Sequence, residues 1–528
     1  MPTNTSNLRL LEPGQPYEKY KWRQSASGLW ERDTDECERF YAFFCRDRDD
    51  AQKAGFPVTG CTSFSVTTEQ TETAIENVFR YAWASLRAEC PALGSWIQFD
   101  KDSASWKKVY MPFRNEREMN DWQASTFHVA EAISGEDWFN SEPPTCQLPN
   151  LFLVKNKGAR TNNGEWRGSL AIRSPHDIVD GIGVLQLLAR LFELASDSLH
   201  QGRSSKFEYS MMNAEEIEGL LPFPMRVTLG IDPVPAPGLQ ERWGLIQARN
   251  QATAMENPRL GVALSTDGTA TVGGSFHRAS TTLSKAATAS LTQACKHLGI
   301  TVTHALSAGI AIAARDLQTP PDEPKSVLRY TNNAMVNLRP LMHESPFDKL
   351  AHGVGNYHMI AAQSTAVDVP SAAVNSAQER FVLVARRFRD YYQSVRPDNT
   401  DGAGELLNFA PLTWEAYTPK ANPHPPAPES VAVNAAAAAS PVVTRADVAV
   451  SSLGKMSASL EDRYGPCSID NVWVAGVGLG TGVSMFLGGW NGQVEISCVY
   501  GTAFHQRASI VKLLETVVSS LNEALALE

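Results

Sequence analysis

Strand-like and helix-like hydrophobic periods alternate along almost the whole chain, and no other feature constrains the fold as much. A chain that keeps switching between periods of 2 and 3.6 has to bury both sheet faces and helix stripes, so it reads as α/β or α+β. A strong helix is expected at 71–89, where Ile75, Val78, Phe79, Ala82 and Leu86 share a face and Cys90-Pro91 closes it. Strands are expected at 96–99, 107–111, 151–156 and 165–173. The last of these runs through Ser174-Pro175-His176-Asp177-Ile178-Val179-Asp180-Gly181 into a helix with Ile182, Leu185, Leu188, Phe192 and Ala195 on one side.

The second half repeats this scheme without repeating the sequence. A helix at 283–298 ends at Gly299, and Thr303 is positioned to cap another that reaches Arg315. Strands are expected at 327–339 and 355–363, and a long helix at 370–394. Val494, Ile496, Cys498 and Tyr500 alternate with Glu495, Ser497 and Val499, which predicts a strand with one buried face before a last helix from His505. Two lobes follow from this order, 1–215 and 216–528, with a Pro/Ala-rich surface insertion at 417–448.

Composition narrows the function. The 528 residues are 43% hydrophobic, enough for a substantial core, and the net charge of −10 comes without a run of Lys or Arg. Nucleic acid is therefore not the expected partner, because phosphate neutralisation needs clustered cations. No apolar stretch approaches the roughly 20 residues of a membrane span. Residues 1–11 are polar and do not read as a secretory signal, so a cytoplasmic location is expected. The cysteines at 37, 45, 61, 90, 146, 295, 467 and 498 are dispersed, which favours reduced thiols over a zinc cage or a disulfide framework.

His176 is the most informative residue: of 11 histidines it alone has Asp four positions on. Pro175 fixes its approach, and Asp180-Gly181 opens a helix whose free N–H groups favour a carboxylate. A largely neutral imidazole held there can take a proton from an alcohol. Other candidates carry less. Gly476 to Gly482 reads as a flexible turn, because it lacks both the dinucleotide spacing and the P-loop lysine. His352 and His358 read as isolated from carboxylates and thiols, so no metal site is expected. Ser451 and Ser452 are candidate oxyanion donors, and no Gly-x-Ser-x-Gly elbow suggests a hydrolase.

His176 to Gly181 resembles the His-x-x-x-Asp-Gly signature of the chloramphenicol acetyltransferase-like superfamily. That group includes BAHD-type and fungal acyl-CoA-dependent acyltransferases, carnitine acyltransferases and peptide-synthetase condensation domains. Val336-Asn337-Leu338-Arg339-Pro340 is similar to its Asn-x-Arg strand, and Gly353-Val354-Gly355-Asn356-Tyr357 to the Gly-Asn that follows. The helix pair joined by 299–303 also fits, and the order holds over about 70–520. Within the group the chain most resembles the fungal trichothecene 15-O-acetyltransferase type, through Tyr17-Glu18-Lys19-Tyr20 and Ser451-Ser452-Leu453-Gly454. It departs from the plant pattern, having Phe486-Leu487-Gly488-Gly489-Trp490 where Asp-Phe-Gly-Trp-Gly would stand. It departs from condensation domains in carrying Pro175 where they have a second histidine.

The resemblance implies two similar lobes of mixed sheets flanked by helices, with a tunnel between them. It implies an O-acyltransferase of EC 2.3.1 type, in which His176 is the general base for acyl transfer to a hydroxyl of a secondary metabolite such as a terpenoid or polyketide. Asp180 would pair with Arg339, with Gly181 and Asn337 supporting the site. Ser451, Ser452 and Trp490 would be candidate tunnel or oxyanion contacts. Acyl-CoA would be a co-substrate, with no permanently bound cofactor. The alternative is a condensation-like fold recruited as a cyclase or other non-acyl catalyst.

Overall fold

The computed structural model describes every residue except 1–14, 48–54, 161–164, 201–206, 233–236, 265–274, 319–326, 343–352, 374, 397–402, 420–444, 479 and 528. Most of the insertion expected at 417–448 therefore lies outside the described residues. The first sheet has six strands, in the spatial order Arg463–Tyr464, Cys467–Gly476, Pro57–Thr67, Glu165–Pro175, Asn150–Arg160 and Phe127–Ala132. All neighbours are antiparallel except the last pair, which is parallel. Helices Glu72–Glu89 and Gly181–His200 cover one face, burying Phe64, Phe79, Leu188 and Phe192 in the largest core. Each such side chain contributes about 1.5–3 kcal/mol. The first helix starts as expected, with the Thr71 hydroxyl accepting from the Ala74 N–H, and Cys90 closes it on the Leu86 carbonyl. Gly60 lets the second helix come down onto the sheet, since a Cβ there would lie 2.4 Å from Val184.

The second sheet runs Phe276–Thr282, Gln493–Gly501, Val483–Trp490, Val448–Lys455, with only the last pair parallel. Helices Lys285–Leu298, Val302–Gln318, Ala377–Ser394 and Arg507–Leu525 build its core. Gly299 ends the first of these at φ 66°, a left-handed conformation that glycine adopts without strain. No single helix among the described residues is long and apolar enough to cross a membrane; Lys285–Leu298 and Val302–Gln318 would do so only as a pair bent by 99°.

Four expectations need correction. The helix after Gly299 is capped by Thr301, whose hydroxyl accepts from the His304 N–H, while the Thr303 hydroxyl meets Ser452. The single strand expected at 327–339 is two, Leu328–Asn332 and Met335–Asn337, in separate ladders. Gln493–Gly501 is buried on both faces, because the lobe interface covers the side that carries Val499 and Ser497. The lobes also do not separate at 216: the pair Arg463–Tyr464 and Cys467–Gly476, from the C-terminal half, completes the first sheet. The chain then passes Gly480, at φ 62°, into the second sheet. Trp138, Phe139, Phe152 and Trp473 from the first lobe pack with Val499, Phe276 and Phe486 from the second.

Candidate active site

The strand Glu165–Pro175 delivers the chain into a turn, and the turn feeds directly into the helix Gly181–His200. Asp180 caps that helix, with Oδ1 accepting from the Gly183 N–H at 2.8 Å. Its Oδ2 accepts from Arg339 Nη1 at 2.8 Å and from the Tyr357 N–H at 2.9 Å, and His358 Nδ1 lies 3.4 Å away. Burial opposes the charge, but the Arg339 guanidinium, with His358, outweighs it and holds the carboxyl well below the ordinary carboxylate range. The backbone completes the junction: the Asp180 N–H donates to the Gly355 carbonyl at 3.3 Å, and so does Arg339 Nη2 at 3.4 Å. Asn337 Oδ1 accepts from the Arg339 N–H at 3.1 Å, turning the arginine out of its strand. Gly183 lets the 353–357 segment approach, since a Cβ there would sit 2.1 Å from the Gly353 carbonyl.

The second carboxylate of the turn works differently. Asp177 forms a two-pronged pair with Arg46, 2.5 Å to Nε and 2.8 Å to Nη2, and both side chains are fully buried. Arg46 Nη1 donates to the Gln147 carbonyl at 3.0 Å. The turn is thus pinned to its own lobe through Asp177 and to the other lobe through Asp180.

Between these two anchors His176 is held by its backbone. Its N–H donates to the Phe56 carbonyl at 3.2 Å, and its carbonyl accepts from Asn356 Nδ2 at 2.9 Å. The imidazole stacks on Tyr41, with ring centres 4.1 Å apart and planes 11° apart, and on Phe56 at 5.9 Å and 27°. Nδ1 is sealed from solvent without a hydrogen-bond partner, which leaves Nε2 as the nitrogen able to meet a substrate. Burial, helped by the nearby His358 ring, lowers the imidazole pKa to about 4; its own carbonyl, Asp180 and Asn356 pull more weakly the other way. The ring is therefore neutral at physiological pH.

The structure brings together His176, Asp180, Gly181, Asn337 and Arg339. It places the other candidates elsewhere in local bonding. The Ser452 hydroxyl is exposed and 2.9 Å from that of Thr303, with Ser451 beside it on the strand Val448–Lys455. Trp490 belongs to the core of the first lobe, and its indole N–H donates to the Ile469 carbonyl at 3.3 Å. His358 corrects the sequence reading: it lies against Asp180 and against the Tyr41 phenol, 2.7 Å from Nε2. Tyr41 and Phe56 had no place in that reading. Tyr41 lies on the helix Glu36–Cys45, which opens with a reciprocal Asp35/Glu38 capping box that is legible in the sequence. Phe56 has a φ of 46°, uncommon for an aromatic residue, and nothing in the sequence announces it.

No protein-family model matches the chain. The structure is similar to that of TRI3 trichothecene 15-O-acetyltransferase from Fusarium sporotrichioides, with a TM-score of 0.73, 16% identity and coverage of 98% of this chain and 100% of that one. The fold is two-lobed and chloramphenicol acetyltransferase-like. The fold is also similar to that of polyketide synthase associated protein 5 from Mycobacterium tuberculosis, at a TM-score of 0.54 and 14% identity, covering 93% of this chain and 96% of that one. In sequence the chain is 24% identical over 277 residues to the acetyltransferase pigO of Monascus ruber, a match spanning 52% of this chain and 53% of that protein. This chain thus aligns with about half the length of that relative.

Proposed function

We propose that this protein is an acyltransferase of secondary metabolism that moves an acyl group from coenzyme A to a hydroxyl of a small molecule, with His176 as general base. The observation that carries the reading is the setting of His176: half-buried against the Tyr41 and Phe56 rings, free of any carboxylate hydrogen bond and held where the two lobes meet. Nε2 takes the proton of the acceptor hydroxyl as its oxygen attacks the thioester carbonyl. The carbon–sulfur bond then breaks, and the imidazolium returns the proton to the leaving thiolate. No covalent enzyme intermediate is needed. Asp180 does not share that proton, because Arg339 and two backbone N–H groups occupy it. The similarity to TRI3 and pigO supports acetyl as the acyl group and a fungal terpenoid or polyketide alcohol as the acceptor class. The dispersed cysteines of the sequence suit the reducing cytoplasm, where the reading places the enzyme.

The test is transfer from labelled acetyl-CoA to a panel of terpenoid and polyketide alcohols. His176→Ala is expected to fold normally by circular dichroism and to lose roughly 10²–10⁴-fold in turnover. Near wild-type turnover in the folded variant would remove His176 from the mechanism.

A further inference from the structure

Tyr41 takes no part in the reaction as written, yet it presents the broadest face against the base. Its ring lies 4.1 Å from the imidazole and nearly parallel to it. Its phenol oxygen is 2.7 Å from His358 Nε2, and His358 Nδ1 is 3.4 Å from Asp180 Oδ2. Asp180 is in turn fixed by Arg339. We infer that Tyr41 is a positioning residue for the reaction, setting the plane of the His176 ring by stacking while His358 tethers Tyr41 to the Asp180–Arg339 junction. The inference rests on His176 being the base. In hydrolytic triads a carboxylate orients its histidine directly; here the orienting link passes through a second histidine and an aromatic face.

The order Asp180, His358, Tyr41 mimics an acid–base–hydroxyl triad, but Tyr41 is sealed in. It is 1% exposed, and burial, reinforced by Cys37 and Asp180, pushes the phenol well above its ordinary range. It stays protonated and donates to His358 Nε2, so His358 Nδ1–H faces the Asp180 carboxylate. The titratable groups around the His176 ring are Tyr41 and Cys45 from the helix Glu36–Cys45, Asp177 and Asp180 from its own turn, and His358. Arg46 engages Asp177 and Arg339 engages Asp180. Cys45 is pushed well above its ordinary range by burial. What remains to set the ring's surroundings is the aromatic face, which keeps water off one side of the imidazole.

Removing that face should change both the aim of the base and its proton affinity. The readout is acetyl-CoA thiol release with the best terpenoid or polyketide alcohol of the panel, as separate kcat and KM values and as the pH profile of kcat/KM. In Tyr41→Leu, kcat is expected to fall roughly 10- to 100-fold while KM for acetyl-CoA stays within about threefold. Its acid limb should move up by about one unit or more, towards the ordinary ~6.5 of a solvated histidine. Tyr41→Phe keeps the stack but, like His358→Ala, loses the tether, so kcat is expected to fall by no more than about tenfold, with the acid limb unmoved. A folded Tyr41→Leu with wild-type kcat and an unmoved acid limb overturns the inference, as does a Tyr41→Phe as damaged as Tyr41→Leu. Should Tyr41→Leu not fold, His358→Ala takes its place. It frees the phenol, should lower kcat about tenfold, and overturns the inference if it turns over like wild type. Failure of the general-base reading would show separately, as an active His176→Ala.

Discussion

The lobes are joined at two buried ionic junctions that divide charge in opposite ways. Beside His176 a single carboxylate, Asp180, receives the Arg339 guanidinium and the N–H groups of Gly183 and Tyr357. At the other junction a single guanidinium, Arg278, is shared by two carboxylates, Glu136 from the first lobe and Glu495 from the second. Asn140 bonds both the N–H and the carbonyl of Arg278, and Arg507 lies 3.4 Å from Glu136. An excess of donors keeps Asp180 ionised, so the turn that carries His176 has one charge state and one position. Around Arg278 the carboxylates crowd instead: burial, with Glu136 nearby, raises the Glu495 pKa despite Arg278 and the Asn471 amide that donates to it at 3.4 Å. One junction fixes the geometry of the His176 turn, the other holds two surfaces together.

The comparison breaks most directly by removing each cation. Taking one partner from a buried pair strands the other charge and costs about 3–5 kcal/mol. Arg339→Ala and Asp180→Ala are each expected to lose that much in urea unfolding, and turnover by a factor on the order of 10² because the turn is released. In Arg278→Ala the Glu136 side chain, 21% exposed and still facing Arg507, can rehydrate, and the buried Glu495, whose pKa is already raised, can take up a proton, so a loss nearer 2 kcal/mol is expected. Its turnover should stay within about threefold of wild type. Equal effects of Arg278→Ala and Arg339→Ala on turnover would erase the distinction.

The Asp180–Arg339 pair was legible in the sequence because each partner sits in a recognisable short motif. Arg278 and Glu136 sit in none, so a contact 142 residues apart could not be read there. The same separation hid the His358 environment: Asp180 is 178 positions away and Tyr41 is 317. The helix Glu72–Glu89 was legible because one face is wet and its cap is local. The central strand Pro57–Thr67 was not, since it is buried on both faces and shows no alternation. The helices Glu36–Cys45 and Ala403–Tyr417, which frame Tyr41, were passed over between stronger signals; Pro411 interrupts the second.

Acid should separate the two junctions further. His176 and His304 are each lowered to about 4 from an ordinary 6.5, so the folded state binds fewer protons than the unfolded one between those values. Their contribution is complete above about pH 6.5 and is lost as pH falls towards 4. Asp180, lowered much further, keeps its junction ionised throughout that window. Melting temperature against pH should therefore fall between pH 6.5 and 4 in the wild type, and His176→Gln should fall less steeply. Identical slopes would show that His176 takes up its proton without a cost to folding, contrary to its sealed Nδ1.

The smallest expected effect concerns Trp490, where the strands of the two lobes cross. It ends a strand of the second sheet, yet its ring is 6% exposed within the core of the first lobe. Its indole N–H donates to the Ile469 carbonyl, which also accepts from Asn491 Nδ2 at 3.3 Å. Trp490→Phe therefore loses one hydrogen bond and some volume without leaving that carbonyl unpaired, so about 1–2 kcal/mol of stability should go. Turnover and acceptor KM should stay within about twofold, because the side chain packs in a core and not against a substrate. A tenfold rise in acceptor KM with unchanged stability would instead make Trp490 part of a tunnel wall. The lobe crossing would then belong with the Asp180 junction, as a place where packing serves chemistry.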